Sequence, residues 1–167
     1  SSAASDVYKR QGNDSHTRRG VEAIRKADGT RLINAASGWV DFEAGDIIDQ
    51  HSYPVPSLQS NPLNERVAVC GEYGGITLKV DGHLWKGNDM EYTSVPDSKA
   101  LAERFNAYTV ALQGLQEQGL WASVYTQTSD VEQELNGLLT YDRKVFKIAP
   151  EERASVREEI LRTIHNR

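Results

Sequence analysis

Cysteine occurs once in the 167 residues, at Cys70, and a lone cysteine excludes both an internal disulfide framework and a cysteine-rich zinc site. Cys70 closes the apolar run Val67-Ala68-Val69-Cys70, where a small buried residue is expected rather than a nucleophile. Long apolar stretches are lacking as well. None approaches the roughly 20 residues that a membrane span needs, and no charged and apolar leader is read at the start, so no membrane partner is expected. Clustered positive charge is scarce in a chain of net charge −5, which removes the electrostatic footprint of a nucleic-acid binder. The one basic stretch, "TRRGVEAIRKADGTR", reads as the solvated face of a helix. Internal repeats are absent, and the compartment stays open.

What is present is enough apolar material, 38% of residues, for one domain with a real core. The first eleven residues, "SSAASDVYKRQ", follow no helix or strand period and resemble translated sequencing adapter. They are expected to be a non-native assembly scar, which leaves residues 12–167 as the domain and makes the chain a fragment.

Val21 and Ile24 mark the end of an amphipathic helix that stops at Gly29. "RLINAASG" reads as a strand, and "DIIDQHSYP", Asp46–Pro54, as a second one closed by proline. Only seven residues separate Gly38 from Asp46, too few for the usual crossover helix of a dozen residues or more. "RVAVCGEYG" is the third strand, and a long loop, residues 75–96, follows it. Asp97 caps a helix in which Leu101, Phe105, Tyr108, Leu112 and Leu115 form one stripe, and Gly119 ends it. "LWASVYTQTSD", residues 120–130, is the fourth strand, and a last helix begins at Pro150. Four strands alternating with helices or loops, each reading as buried, argue for a parallel α/β architecture, with a half barrel as the sharper expectation.

The run "VAVCGEYGG" ends in one carboxylate, Glu72, held between glycines. At the carboxyl end of a buried parallel strand this is the rim where catalytic groups collect; a solvated strand-end charge is the plainer alternative. "RLINAASGW", "GDIIDQHSYP", "CGEYGG" and "SVYTQTSDVEQELNGLLTYDRK" stand here in an order and spacing that resemble the catalytic barrel of glycoside hydrolase family 2, across roughly residues 12–153. That family holds β-galactosidases, β-glucuronidases and β-mannosidases.

The resemblance implies a partial (β/α)8 TIM barrel, strands five to eight with their helices, the short gap after Gly38 being a departure such barrels share. It implies a retaining β-glycosidase, β-galactosidase-like, with a carbohydrate substrate and neither cofactor nor catalytic metal. Glu72 is similar to the nucleophile, which attacks the anomeric carbon to form a glycosyl-enzyme intermediate. The acid/base of the family lies in an Asn-Glu pair before strand five. "VYKRQGNDSH" occupies that place without such a pair, and the role does not transfer to Asp14. The catalytic pair is therefore expected to be incomplete.

His51 and Tyr53, two apart, would point the same way from a strand end; the resemblance implies that they contact sugar hydroxyls and that Tyr53 also bonds the nucleophile, a satisfied structural histidine being the plainer reading of His51. His83 and Trp85 in "DGHLWKG" offer a hydroxyl partner and an aromatic wall for the site, although Trp85 can equally anchor the loop. Tyr125 and Gln127 fall near the rim of the fourth strand, Gln127 within reach of a substrate hydroxyl. Ser129 and Glu132 have the spacing of a helix capping box. The acids Asp130, Glu132 and Glu134 are a weak cation candidate. Two other functions compete: a non-catalytic carbohydrate-binding module, and a structural half barrel whose open sheet edges are covered by self-association or by the missing N-terminal half.

Overall fold

In chain order the elements are α1 (Asp14–Ala27), β1 (Ile47–His51), β2 (Val67–Gly74), β3 (Ile76–Thr77), β4 (Thr93–Ser94), α2 (Ser98–Glu117), β5 (Leu120–Thr126) and α3 (Pro150–His165). The computed structural model describes residues 14–35, 38–58, 65–85 and 93–165; the suspected scar, residues 1–11, lies outside them. Among the described residues the chain is mixed α/β, with a small sheet ordered β1-β2-β5 and three helices. β1 pairs with β2 in parallel, and so does β3 with β4. Two units divide the chain. The first comprises Ser1–Ser52, Ser57–Glu72 and Leu115–Val124, the second Tyr53–Pro56, Tyr73–Gly114 and Tyr125–Arg167.

In the first unit the expected strand "RLINAASG" is reduced to isolated bridges, Asn34 to Ile47 and Gly38 to Gln50. Side chains replace the ladder there. Asp46 Oδ2 accepts from the Ile33 amide at 2.8 Å, and Asp49 Oδ2 accepts from Asn34 Nδ2 at 2.7 Å. No helix forms between Gly38 and Asp46, in agreement with the short spacing. Arg66 holds that irregular segment instead: its guanidinium grips Asp41 at 2.8–3.0 Å and donates to the carbonyls of Ala44 (2.9 Å) and Ile47 (2.6 Å). A planar fork of five donors suits such multiple clasping, which lysine could not reproduce. Arg25, near the end of α1, pairs with Asp46 at 2.7 Å, and that bond holds the Asp46 carboxyl below its usual range. Ile33, Ile48, Ala68, Cys70 and Leu120 are buried. Cys70 is thus the small core residue its run predicts, and burial raises its thiol pKa, away from the reactive thiolate.

In the second unit Asp97 caps α2 as its position predicts, its Oδ1 accepting from the Ala100 amide at 2.8 Å. Leu101, Phe105, Tyr108 and Leu112 are buried, and each such side chain stabilises the fold by roughly 1.5–3 kcal/mol. Asn106 Nδ2 donates to Ser155 Oγ and Gln113 Nε2 to Thr163 Oγ1, an order of pairing that runs α2 and α3 in the same direction. The loop after β2 is less irregular than its composition implies, because Ile76 and Thr77 are buried and pair with Thr93 and Ser94. β5 stops at Thr126, short of Asp130. Beyond it the backbone of 127–130 bonds to that of 136–139, through Gln127 N to Asn136 O, Leu138 N to Gln127 O, Leu139 N to Thr128 O and Asp130 N to Leu139 O. The capping box at Ser129 is corrected for the same reason: no helix follows, and Glu132 sits at a positive φ of 51° inside a turn closed by Val131 and Glu134.

Candidate active site

Glu72 stands in β2 two residues before its end, with Gly71 before it and Tyr73 and Gly74 after. The register explains the glycine before it. Gln50 pairs with Cys70 and His51 with Glu72, so Gly71 is an extra residue on β2 and forms a bulge. Bulges re-aim the side chains that follow them. The Gly71 amide donates to Asp49 Oδ1 at 2.7 Å, and a Cβ at this position would collide with that carboxylate. The sequence feature Gly-Glu is therefore a packing requirement of Asp49 as well as a setting for Glu72.

His51 closes β1, and its Nδ1 lies 3.0 Å from Glu72 Oε2. The imidazole is buried, with 2% of its side chain accessible, whereas Glu72 keeps 20%. A carboxylate in that setting is steadied from one side and reachable from the other. Gly38, at φ 105°, makes room for the ring: a Cβ there would overlap the imidazole, and its backbone exchanges hydrogen bonds with Asp49 O and His51 N at 3.1 and 3.0 Å. Trp39 follows at once and meets the His51 ring edge-on, centroids 5.8 Å apart, while remaining 53% exposed. Sequence reasoning passed over Trp39; the signal was a large aromatic directly after a glycine at a strand end.

The other predicted residues belong to the second unit. β1 stops at His51, so the alternation that would aim Tyr53 with His51 does not extend to Tyr53. Its hydroxyl hydrogen bonds to Thr126 Oγ1 at 2.9 Å. Tyr125 packs edge-on against Tyr73 and Phe105, at 5.5 and 4.9 Å between centroids, with its hydroxyl oxygen buried. Burial pushes that phenol well above its ordinary pKa, as befits an aromatic packing residue. Gln127 donates from Nε2 to Asn136 Oδ1 (2.6 Å) and Glu134 Oε2 (3.2 Å), which leaves its amide oxygen to meet a donor.

His83 Nδ1 lies 2.8 Å from Asp142 Oδ2, and Trp85 stacks at a tilt on Tyr141 with centroids 4.6 Å apart. Hydrogen bonds from Thr140 and then His83 hold the Asp142 carboxyl well below the usual carboxylate range.

The acids 130, 132 and 134 do not assemble. Asp130 is buried against Lys147 at 2.7 Å and accepts the Gly137 amide at 2.8 Å, Glu134 meets Gln127, and Glu132 is exposed. No group of three or more His, Cys, Asp or Glu among the described residues is placed to hold a metal ion, and none of their helices is long and apolar enough to cross a membrane. The Lys147 ammonium donates to Leu78 O, Asp130 Oδ1 and Leu135 O, using all three of its protons. Sequence reading missed this residue because a lysine is ordinarily a surface charge. Compared with known proteins, the chain matches no family model and no curated protein sequence.

Proposed function

We propose that the chain carries strands five to eight of a (β/α)8 barrel belonging to a retaining β-glycosidase of the family 2 type, with Glu72 as the nucleophile. The observation that carries the reading is the partly exposed Glu72 carboxylate on a parallel strand, 3.0 Å from the buried His51, with the exposed Trp39 ring beside that histidine. In the first step a Glu72 oxygen attacks the anomeric carbon as the bond to the aglycone oxygen breaks, and the leaving oxygen takes a proton from the family's acid/base carboxyl, which retaining enzymes hold about 5 Å from the nucleophile and which no Asn-Glu pair of this sequence supplies. Water then cleaves the glycosyl ester and regenerates Glu72. His51 steadies the carboxylate, and Trp39 supplies an apolar face for the sugar ring.

Azide rescue tests the role of Glu72. Glu72→Ala with a dinitrophenyl β-galactoside, whose leaving group needs no proton, is expected to form the α-glycosyl azide when azide is added. Formation of the β-azide, or turnover of Glu72→Ala without azide, would remove Glu72 from the chemistry.

A second reading, a structural half barrel that associates with itself, is favoured by the exposure of Trp121 and Val124 on β5. Analytical ultracentrifugation of the wild type and Trp121→Asp separates the two. A dimer that the substitution disperses supports association through β5, and a monomer in both discards it.

A further inference from the structure

Asp49 lies two residues before His51 on β1 and meets three segments at once. Its backbone carbonyl accepts from the Gly38 amide at 3.1 Å, its Oδ1 from the Gly71 amide at 2.7 Å, and its Oδ2 from Asn34 Nδ2 at 2.7 Å. Each contact ends beside a residue of the candidate site: Gly38 precedes Trp39, β1 closes on His51, and Gly71 precedes Glu72. The neighbouring acids Asp41 and Asp46 pair with Arg66 and Arg25, whereas Asp49 accepts from neutral N–H groups. Both side-chain partners are donors, so an acceptor-only carboxylate fits between them. Asn34 gives its amide nitrogen to Asp49 while its own Oδ1 is buried without a hydrogen-bond partner among the described residues. Its contribution is therefore the donor it presents to Asp49.

The consequence falls on Glu72. His51 pairs with Glu72 because Gly71 is taken up as the extra residue of the bulge, and the amide that Asp49 holds belongs to that residue. A β2 without the bulge would pair His51 with Gly71 and turn the Glu72 side chain to the opposite face of the sheet. The space that the Asp49 carboxylate fills is the space a Cβ at position 71 would need, so glycine and carboxylate are complementary. We infer that Asp49, held by Asn34, is the positioning residue that fixes the bulge and thereby aims Glu72 at His51. The kinetic consequence rests on the glycosidase reading; the placement of Glu72 is testable without a sugar.

The test compares the full chain with Asp49→Ala, with Asn34→Asp, and with the reciprocal double variant Asn34→Asp/Asp49→Asn. Crystal structures give the readout that needs no sugar. Asp49→Ala is expected to lose the bulge and to carry Glu72 away from His51. Asn34→Asp sets two carboxylates against each other and is expected to do the same, while the double variant, which only exchanges donor and acceptor, restores the wild-type placement. Labelling by a dinitrophenyl 2-deoxy-2-fluoro glycoside that marks the wild type gives the kinetic readout. A misplaced nucleophile lowers the rate at saturating reagent, roughly a hundredfold in Asp49→Ala, and leaves the half-saturating concentration unchanged, a split that general loss of structure does not produce. Where circular dichroism shows Asp49→Ala unfolded, Asn34→Asp and the double variant decide. An intact bulge with Glu72 still at His51 in Asp49→Ala, a saturating rate there equal to that of a labelled wild type, or the same displacement of Glu72 in Asn34→Asp and in the double variant would overturn the inference. A wild type that takes no label removes the glycosidase reading alone, and the crystal structures still decide what Asp49 does.

Discussion

Two acid–base contacts, one in each unit, show how differently the same chemistry can be used. Asp130 and Lys147 lie 2.7 Å apart with 1% and 0% of their side chains accessible, and every ammonium proton has a protein acceptor. Glu72 and His51 lie 3.0 Å apart with 20% and 2% accessible. The buried pair ties Leu78, Leu135 and Asp130 to one cation and offers a substrate nothing. In the other pair only the histidine is enclosed, and the carboxylate retains an accessible side. Proximity of an acid and a base therefore separates structure from function poorly, whereas remaining exposure separates them well.

The contrast can be broken by substitution. Lys147→Ala is expected to cost about 3–5 kcal/mol, because it strands the buried Asp130 carboxylate, whereas Glu72→Gln should change stability by no more than about 1 kcal/mol. Urea unfolding of both variants checks the ordering, and equal losses would dissolve the distinction. Replacing Asp130 and Lys147 together with apolar residues should cost less than Lys147→Ala alone. Gly71→Ala is next, at roughly 1–3 kcal/mol, because the added methyl meets the Asp49 carboxylate; the same denaturation series measures it.

Tyr53→Phe removes the hydrogen bond to Thr126 and should cost about 0.5–1.5 kcal/mol. The mildest effect concerns pH. The folded Asp142 carboxyl is held below its ordinary value near 3.8, so its stabilising contribution is complete above that value and is lost as pH falls through it toward the folded pKa. Thermal unfolding of the wild type and Asp142→Asn should differ at neutral pH and converge in acid.

Much of this was readable in the sequence where local pattern decides structure. The uncharged run through Cys70 is a strand, the stripe from Leu101 to Leu112 is the buried face of α2, Asp97 caps that helix, and Pro150 opens α3. Reading failed where distant side chains compete with the backbone. Asp46 and Asp49 take hydrogen bonds that would otherwise belong to a strand at 33–34, and Glu132 enters a turn fixed by Val131 and Glu134. The bulge at Gly71 depends on a carboxylate 22 positions earlier. Likewise, His83 and Trp85 carried a recognisable chemistry, but Tyr141 and Asp142, which orient them, are 56 and 59 positions away.

The central claim is that Glu72 bonds covalently to a sugar, and intact mass followed by peptide mapping tests it most directly. The chain is incubated with dinitrophenyl 2-deoxy-2-fluoro glycosides of the galacto, gluco and manno series. The account predicts one added fluoroglycosyl unit from at least one series, located on Glu72 and absent from Glu72→Gln. Label that maps to another residue, label that persists in Glu72→Gln, or no label from any of the three series would contradict it.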